Sequence, residues 1–168
     1  AIVITTPERA KNAKNGSVKI LGAGEGHDHS GISQMPDLTS AFGRHTGPQA
    51  LEMAGVSHSD IDLAMIYDSF TYTALVSLEN LGFCGPGEGP DFVASQRTAP
   101  GGDFPMNTNG GGLSYTHPGM YGIFTVVEAA RQLRGQAGER QLEDCNLAVA
   151  HGTGGLLSST GTVVLGAN

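Results

Sequence analysis

The sequence predicts an α/β fold in which helices cover both faces of a mixed sheet. Short apolar runs typical of buried strands alternate with longer segments whose apolar residues recur at helical spacing. This alternation is the pattern of sheets that carry helices on both faces. The last predicted strand, at residues 159–165, follows the strand at residues 147–150 through a tight connection, so these two are expected to run antiparallel.

The first elements are expected within residues 1–21. Residues 1–5 are apolar and β-branched, which predicts a buried strand already in progress where the sequence begins. Thr6 and Pro7 suit the N-cap and the first position of a short helix. Residues 18–21 predict a second strand.

A glycine-rich segment at residues 22–31 is expected to form a loop after that strand. It does not complete the G-x-G-x-x-G pattern and no helical pattern follows at once, which excludes a dinucleotide-binding turn. Glu25, His27 and His29 could bind a metal, but no further ligand pair lies nearby in the sequence. We therefore favour a solvated or ligand-lining loop, and we expect no metal site.

The remaining elements continue the alternation. Helices are predicted at residues 46–54, 71–81, 90–94 and 122–133, and strands at residues 61–67, 147–150 and 159–165. Gly55 is typical of the residue that ends a helix. The helix at residues 122–133 is expected to gather its apolar residues on one face, with Glu128 elsewhere. Those apolar residues are Ile123, Val126, Val127 and Ala130.

Composition excludes several classes of function. A length of 168 residues suits one domain with a real core. The net charge of −7 and the absence of a basic run argue against nucleic acid as a partner. No apolar run approaches the ~20 residues that span a bilayer, and no signal peptide is recognisable. Cys84 and Cys145 lack metal-site spacing, which favours reduced thiols and a cytoplasmic protein.

The segment at residues 107–122 has the strongest functional pattern. Three consecutive glycines let the backbone bend sharply, and His117 is fixed by the proline that follows it. Tyr115 and Tyr121 flank that histidine, so titratable groups stand at the mouth of a helix. Strand ends that meet loops are where open α/β sheets place ligands. Tyr67 and His151 end two predicted strands and are expected to gather beside this segment.

Three ordered motifs carry a resemblance to a known family. They are Tyr-Asp-Ser-Phe at residues 67–70, Thr-His-Pro-Gly-Met-Tyr-Gly at residues 116–122, and His-Gly-Thr-Gly-Gly at residues 151–155. With the stretch at residues 132–141, they resemble the C-terminal half of the thiolase superfamily, in the branch of sterol-carrier-type thiolases and lipid-transfer-protein-like enzymes. The resemblance covers residues 1–168 and implies a thiolase-like C-terminal domain, with the N-terminal half absent from this chain.

The chain departs from the family at positions that carry chemistry. The acid/base cysteine of thiolases is replaced by His151, or by a glycine if the register slips by one. Tyr67 takes the place of a loop asparagine, Thr116 that of a glycine, and Tyr121 lies in a small-residue segment. This pattern resembles thiolase-fold aldolases of bacterial steroid degradation. It implies an acyl-CoA retro-aldolase that cleaves a β-hydroxy steroid side chain through a thioester enolate.

The resemblance also implies site residues. The candidate catalytic residues are His117, Tyr121, Tyr67 and Tyr115. The candidate substrate-binding residues are His151, Gly152, Gly154, Asn109 and Tyr72. His117 would donate to the enolate oxygen, and a tyrosine whose pKa is lowered by a neighbouring imidazolium would act as acid or base. No cofactor is expected beyond the CoA of the substrate.

The same resemblance implies partners and leaves two alternatives open. The expected partners are an N-terminal thiolase half or companion chain, a DUF35-type OB-fold protein, and a second thiolase unit in a dimer. A thiolase-type acyltransferase would instead need a reactive cysteine in the missing half. A non-catalytic thiolase-like subunit would only stabilise another chain.

Overall fold

The computed structural model describes residues 1–155 and 157–168, with Tyr115 described by its backbone alone. The helices are α1 (Pro7–Ala10), α2 (Gly43–Ala54), α3 (Thr71–Leu81), α4 (Gly89–Ala94), α5 (Gly111–Tyr115) and α6 (Gly122–Leu133). The strands are β1 (Lys19–His27), β2 (Leu63–Ile66), β3 (Leu147–Gly154) and β4 (Ser159–Gly166). Within these described residues, no helix is both long enough and apolar enough to cross a bilayer.

The four strands form one mixed sheet in the order β1-β4-β3-β2. β1 and β3 both pair antiparallel with β4, whereas β2 and β3 run parallel. The predicted antiparallel pairing of the last two strands is therefore confirmed. Because β2 and β3 are parallel, their carboxyl ends lie at the same end of the sheet. The candidate site lies at this end.

Helices pack on both faces of the sheet, as predicted. On one face, Ala50 and Leu51 of α2 and Leu78 of α3 join a buried cluster with alternate residues of the strands. On the other face, Ala129 and Leu133 of α6 form a second buried cluster with the intervening strand residues. Successive strand residues point to opposite faces, so β2, β3 and β4 each contribute to both clusters.

The strand predicted at residues 1–5 is wrong. These residues form no strand, and Val3 is 88% exposed. β-branched sequence favours extended backbone only where a neighbouring strand or a packed face supports it. Within the described chain, residues 1–5 pair with none of the four strands of the sheet.

The loop predicted at residues 22–31 is also wrong over its first half, because β1 continues to His27. The glycines there let helix α2 lie directly on the strand. A Cβ atom on Gly22 would stand 2.0 Å from the Ala50 carbonyl oxygen, and one on Gly26 would stand 1.8 Å from the Phe42 ring. Close helix–strand packing therefore explains these glycines, a use that the sequence pattern does not distinguish from a loop.

Helix α6 has the predicted bounds but not the predicted buried face. Its buried residues are Thr125, Glu128, Ala129, Gln132 and Leu133. Ile123, predicted to lie on the apolar face, is 42% exposed. The buried face is half polar because Glu128 and Gln132 bond to each other and to groups outside the helix, which removes the cost of burying them.

Candidate active site

The segment at residues 107–122 is attached to the free edge of strand β2. The Asn107 side chain accepts a hydrogen bond from the Ile66 N–H and donates one to the Ile66 carbonyl oxygen, both at 2.8 Å. The Asn107 N–H also donates to the Ala64 carbonyl oxygen, and the Ala64 N–H donates to the Pro105 carbonyl oxygen. These contacts bring the segment to the carboxyl end of β2, where Tyr67 follows the strand.

Tyr67 and His117 are in direct contact at this edge. The Tyr67 hydroxyl lies 3.1 Å from His117 Nδ1, and His117 is exposed while Tyr67 is half-buried. The backbone N–H of Tyr67 donates to the His151 carbonyl oxygen, which fixes Tyr67 at the end of the parallel strand pair. When the phenol donates to Nδ1, the neutral imidazole carries its proton on Nε2 and can donate it outward.

The Tyr121 ring lies beneath this pair. It stacks on the Tyr67 ring with a centroid distance of 4.9 Å and an interplanar angle of 20°. Tyr121 immediately precedes α6 and is only 1% exposed. The Phe70 ring also contacts the His117 ring, with a centroid distance of 6.0 Å. Three of the predicted catalytic residues are therefore adjacent, while the Tyr115 side chain lies outside the described part of the chain.

The pKa of the Tyr67 phenol is raised by burial and by the negative charge of Asp68. This direction is opposite to the expectation that a neighbouring imidazolium lowers the pKa of a catalytic tyrosine. Tyr67 therefore stays protonated at neutral pH and is suited to donating a proton. A base role would require an ionised phenol, which this environment opposes.

His151 does not join the cluster. Its side chain points to the opposite face of the sheet, is 1% exposed, and has Nδ1 2.8 Å from Thr162 Oγ1. The next residue, Gly152, faces the start of α6, since a Cβ there would lie 3.5 Å from Gly122 Cα. A glycine, rather than the histidine, thus occupies the position that faces the site. Gly154 ends β3 and is exposed.

The burial of His151 predicts an acid-dependent loss of stability. Burial lowers its pKa to about 4 from an ordinary 6.5. The unfolded chain therefore binds a proton that the folded chain excludes as pH falls from 6.5 to 4, which costs roughly 3 kcal/mol. We expect His151→Gln to flatten the fall in unfolding free energy over this range in urea titrations. An equally steep fall in the variant would contradict this assignment.

Two other predicted substrate-binding residues lie outside the central cluster. The Asn109 side-chain oxygen Oδ1 accepts a bond from the Gly111 N–H at 3.0 Å, and Asn109 lines a cavity of about 230 Å³ beside α6. The Tyr72 hydroxyl donates to the Leu38 carbonyl oxygen, which ties α3 to the loop that precedes α2.

Sequence reasoning missed the polar groups that support the site. Glu128 is 2% exposed and receives hydrogen bonds from Thr108, Gln132 and Arg140. Burial raises the pKa of Glu128, but these hydrogen bonds outweigh it and hold the pKa below its usual value. The network joins the residue after Asn107 to α6. Its only signal in the sequence is the spacing of Glu128 and Gln132, four residues apart on one helix face.

Comparisons with known proteins give a family match and similar relatives. Residues 24–167 match the family described as thiolase C-terminal domain-like. A steroid side-chain-cleaving aldolase from Thermomonospora curvata is 36% identical over all of this chain and 43% of its own length. A 17-hydroxy-3-oxo-4-pregnene-20-carboxyl-CoA lyase from Mycobacterium tuberculosis is 37% identical over 80% of this chain and 36% of its own length.

A solved structure gives a similar result. The structure described as Ltp2-ChsH2(DUF35) aldolase superposes with a TM-score of 0.86 at 31% identity, covering 96% of this chain and 42% of that one. The chain therefore spans less than half the length of the relatives that it matches.

Proposed function

This chain belongs to the thiolase C-terminal domain-like family, and from that premise we propose that it is the enolate-stabilising half of an acyl-CoA retro-aldolase in steroid degradation. The observation that carries the proposal is the contact of Tyr67 with His117 above the stacked Tyr121 ring. The relatives named as an aldolase and a CoA lyase support the same reaction class.

The reaction cleaves the bond between the α and β carbons of a β-hydroxy steroid side-chain CoA thioester. The β-hydroxyl loses its proton, the bonding electron pair moves toward the thioester, and a ketosteroid leaves. The resulting enolate then takes a proton at its α carbon, so a ketone and a short acyl-CoA contain all the atoms of the substrate. No acyl-enzyme forms, and CoA takes part only as a component of the substrate.

The side chains divide this work by their geometry. His117, with its proton on Nε2, donates to the enolate oxygen, where preorganised donors are most effective. Tyr67 stays a neutral phenol and is suited to supplying the α-carbon proton. We assign removal of the hydroxyl proton to Tyr121 or Tyr115. Gly152 leaves room at the start of α6, and Asn109, Gly154 and Tyr72 remain proposed substrate-binding residues, whereas His151, 1% exposed on the opposite face of the sheet, is too buried to contact a substrate.

The partners are part of the same proposal. The Phe70 ring contacts His117, and the chain on either side of His117 carries further exposed apolar side chains. Their exposed fractions are 63% for Phe70, 54% for Leu113, 89% for Met120, 42% for Ile123 and 39% for Phe124. Exposed apolar side chains that cluster in this way are usually covered by another chain or by a ligand. We propose that an N-terminal thiolase half or companion chain covers it, in a dimer of thiolase units that also binds a DUF35-type partner.

The direct test is product analysis. The assembled protein, with its thiolase half and DUF35-type partner, is incubated with a β-hydroxy steroid acyl-CoA and analysed by mass spectrometry. We expect equal amounts of a ketosteroid and a short acyl-CoA. An assembled complex that releases neither product would contradict the proposed function.

Replacing both cysteines of this chain distinguishes retro-aldol cleavage from a thiolysis that would use one of them as its nucleophile. Burial, with nearby carboxylates, raises the pKa of Cys84 to about 11 and that of Cys145 to about 12, so neither thiol is an activated nucleophile. Both are unpaired, which fits a cytoplasmic protein. We expect the double variant Cys84→Ser/Cys145→Ser to keep its kcat within about twofold. A folded double variant without activity would favour cysteine-based acyl transfer.

A further inference from the structure

Two side chains, Asn107 and Asp68, link the end of strand β2 to the glycine-rich segment, one from each side. Asn107, from the glycine-rich segment, bonds to both backbone groups of Ile66 at the end of β2. Asp68, two residues after Ile66, returns the contact to the glycine-rich segment. Its Oδ1 accepts from the Gly112 N–H at 2.7 Å, and its Oδ2 accepts from the Leu113 N–H at 3.2 Å. Tyr67 lies between these two clamped positions.

The local sequence is shaped around the Asp68 carboxylate. Asp68 is 5% exposed, and burying an ionised carboxylate requires strong hydrogen-bond donors. The first turn of α5 supplies N–H groups that have no partner within their own helix. Gly111 has a φ of +68°, and a Cβ there would stand 2.2 Å from Asp68 Oδ2. A glycine at this position is therefore what admits the carboxylate.

We propose that Asp68 is a positioning residue that locks helix α5 to the end of strand β2 and thereby holds the Tyr67 hydroxyl on His117 Nδ1. The proposal rests on the proposed retro-aldolase function only for its effect on turnover. Asp68 touches backbone N–H groups and acts on the reaction through Tyr67 and His117. Without the clamp, α5 and the His117 segment can move relative to Tyr67, and the imidazole loses the contact that selects its tautomer.

The test compares Asp68→Asn with wild type in the assembled protein. The asparagine keeps the size of the side chain but places an NH₂ group against a backbone N–H, so one of the two bonds is lost. We expect kcat to fall ~30-fold with KM changed less than about threefold, because misplacement affects the reacting geometry more than binding. Asp37→Asn, which removes an exposed carboxylate bonded to Thr39, is the matched control and should leave kcat unchanged.

A spectroscopic signal separates positioning from a general structural role. In ¹⁵N-histidine-labelled protein, with His117 assigned by its loss in His117→Gln, wild type should give imidazole shifts of a single Nε2–H tautomer. Asp68→Asn should give a mixture of tautomers. A folded Asp68→Asn protein that keeps the single tautomer overturns the proposal, whatever happens to kcat.

A second variant covers the case in which Asp68→Asn does not fold. Gly111→Ala adds a Cβ atom that displaces the Asp68 carboxylate, so it should produce the same mixture of His117 tautomers. A single tautomer in that variant overturns the proposal. If wild type cleaves no substrate, the proposed function fails, and the tautomer measurement still decides the role of Asp68.

Discussion

Replacing His117 by alanine is expected to lower kcat roughly 10²–10³-fold in the assembled enzyme, because it removes the donor assigned to the enolate oxygen. The imidazole is exposed and its only hydrogen bond among the described residues is to Tyr67, so the change should cost little stability. KM should change much less than kcat, since the contact strengthens as charge develops in the transition state. Steady-state kinetics on a β-hydroxy acyl-CoA measures both constants.

His45→Ala is the matched control for this prediction. His45 is also exposed, but it lies on α2, which packs on the opposite face of the sheet. Its loss should leave kcat unchanged. Equal activity of wild type and His117→Ala would remove His117 from the chemistry.

Replacing Arg140 by alanine is expected to destabilise the fold by about 3 kcal/mol at pH 7. Arg140 makes two hydrogen bonds to the Glu128 carboxylate, at 2.8 and 2.9 Å, and the Glu128 side chain is 3% exposed. The variant would leave that buried charge without its cation. Urea unfolding measures the change, and thermal melting should show a matching fall in Tm.

The effect of Arg140→Ala should depend on pH. In wild type the pKa of Glu128 is lowered, so its contribution to stability is present above pH 4.5 and is lost as pH falls through the folded pKa. In the variant the unpaired carboxyl protonates more readily. The stability difference between the two proteins should therefore narrow as pH falls from 7 to 4.

An exposed ion pair provides the control. Arg97 and Asp103 are bonded at 2.8 Å, but their side chains are 43% and 68% exposed. Asp103→Asn should cost far less stability than Arg140→Ala, because water screens exposed pairs. Similar losses of stability in Arg140→Ala and Asp103→Asn would mean that burial of Glu128 does not increase the contribution of its ion pair.

Local patterns predict the helices and the sheet of this fold well, since these depend on short-range spacing. The periodicity of residues 71–81 and 122–133 gives the bounds of α3 and α6 as observed. The errors arise where a pattern has two physical causes. Glycines at Gly22 and Gly26 serve close packing of α2 on β1 rather than a loop. Residues 1–5 have strand composition without a strand beside them.

The sequence predicts the candidate site only in part, because some of its contacts depend on strand register or join residues far apart in the chain. Motif position and strand ends bring Tyr67, Tyr121 and His117 together in the prediction and in the structure. His151 was misplaced because a shift of one residue along a strand moves a side chain to the other face. Asp68 and Glu128 were missed because Gly112 and Arg140, which bond to them, lie 44 and 12 residues away, beyond the reach of a local pattern.

Hydrogen exchange at the α carbon of a saturated acyl-CoA tests the enolate claim most directly. Such a thioester has no β-hydroxyl and cannot be cleaved, but a site that stabilises its enolate will exchange its α hydrogens with D₂O. We predict that the assembled enzyme incorporates α deuterium, measured by mass spectrometry. The rate of this exchange should be unchanged by iodoacetamide treatment and should fall sharply in the His117→Ala and Tyr67→Phe variants. Exchange that is absent from an enzyme active in cleavage, or unchanged in both variants, would contradict an enolate held by His117 and Tyr67.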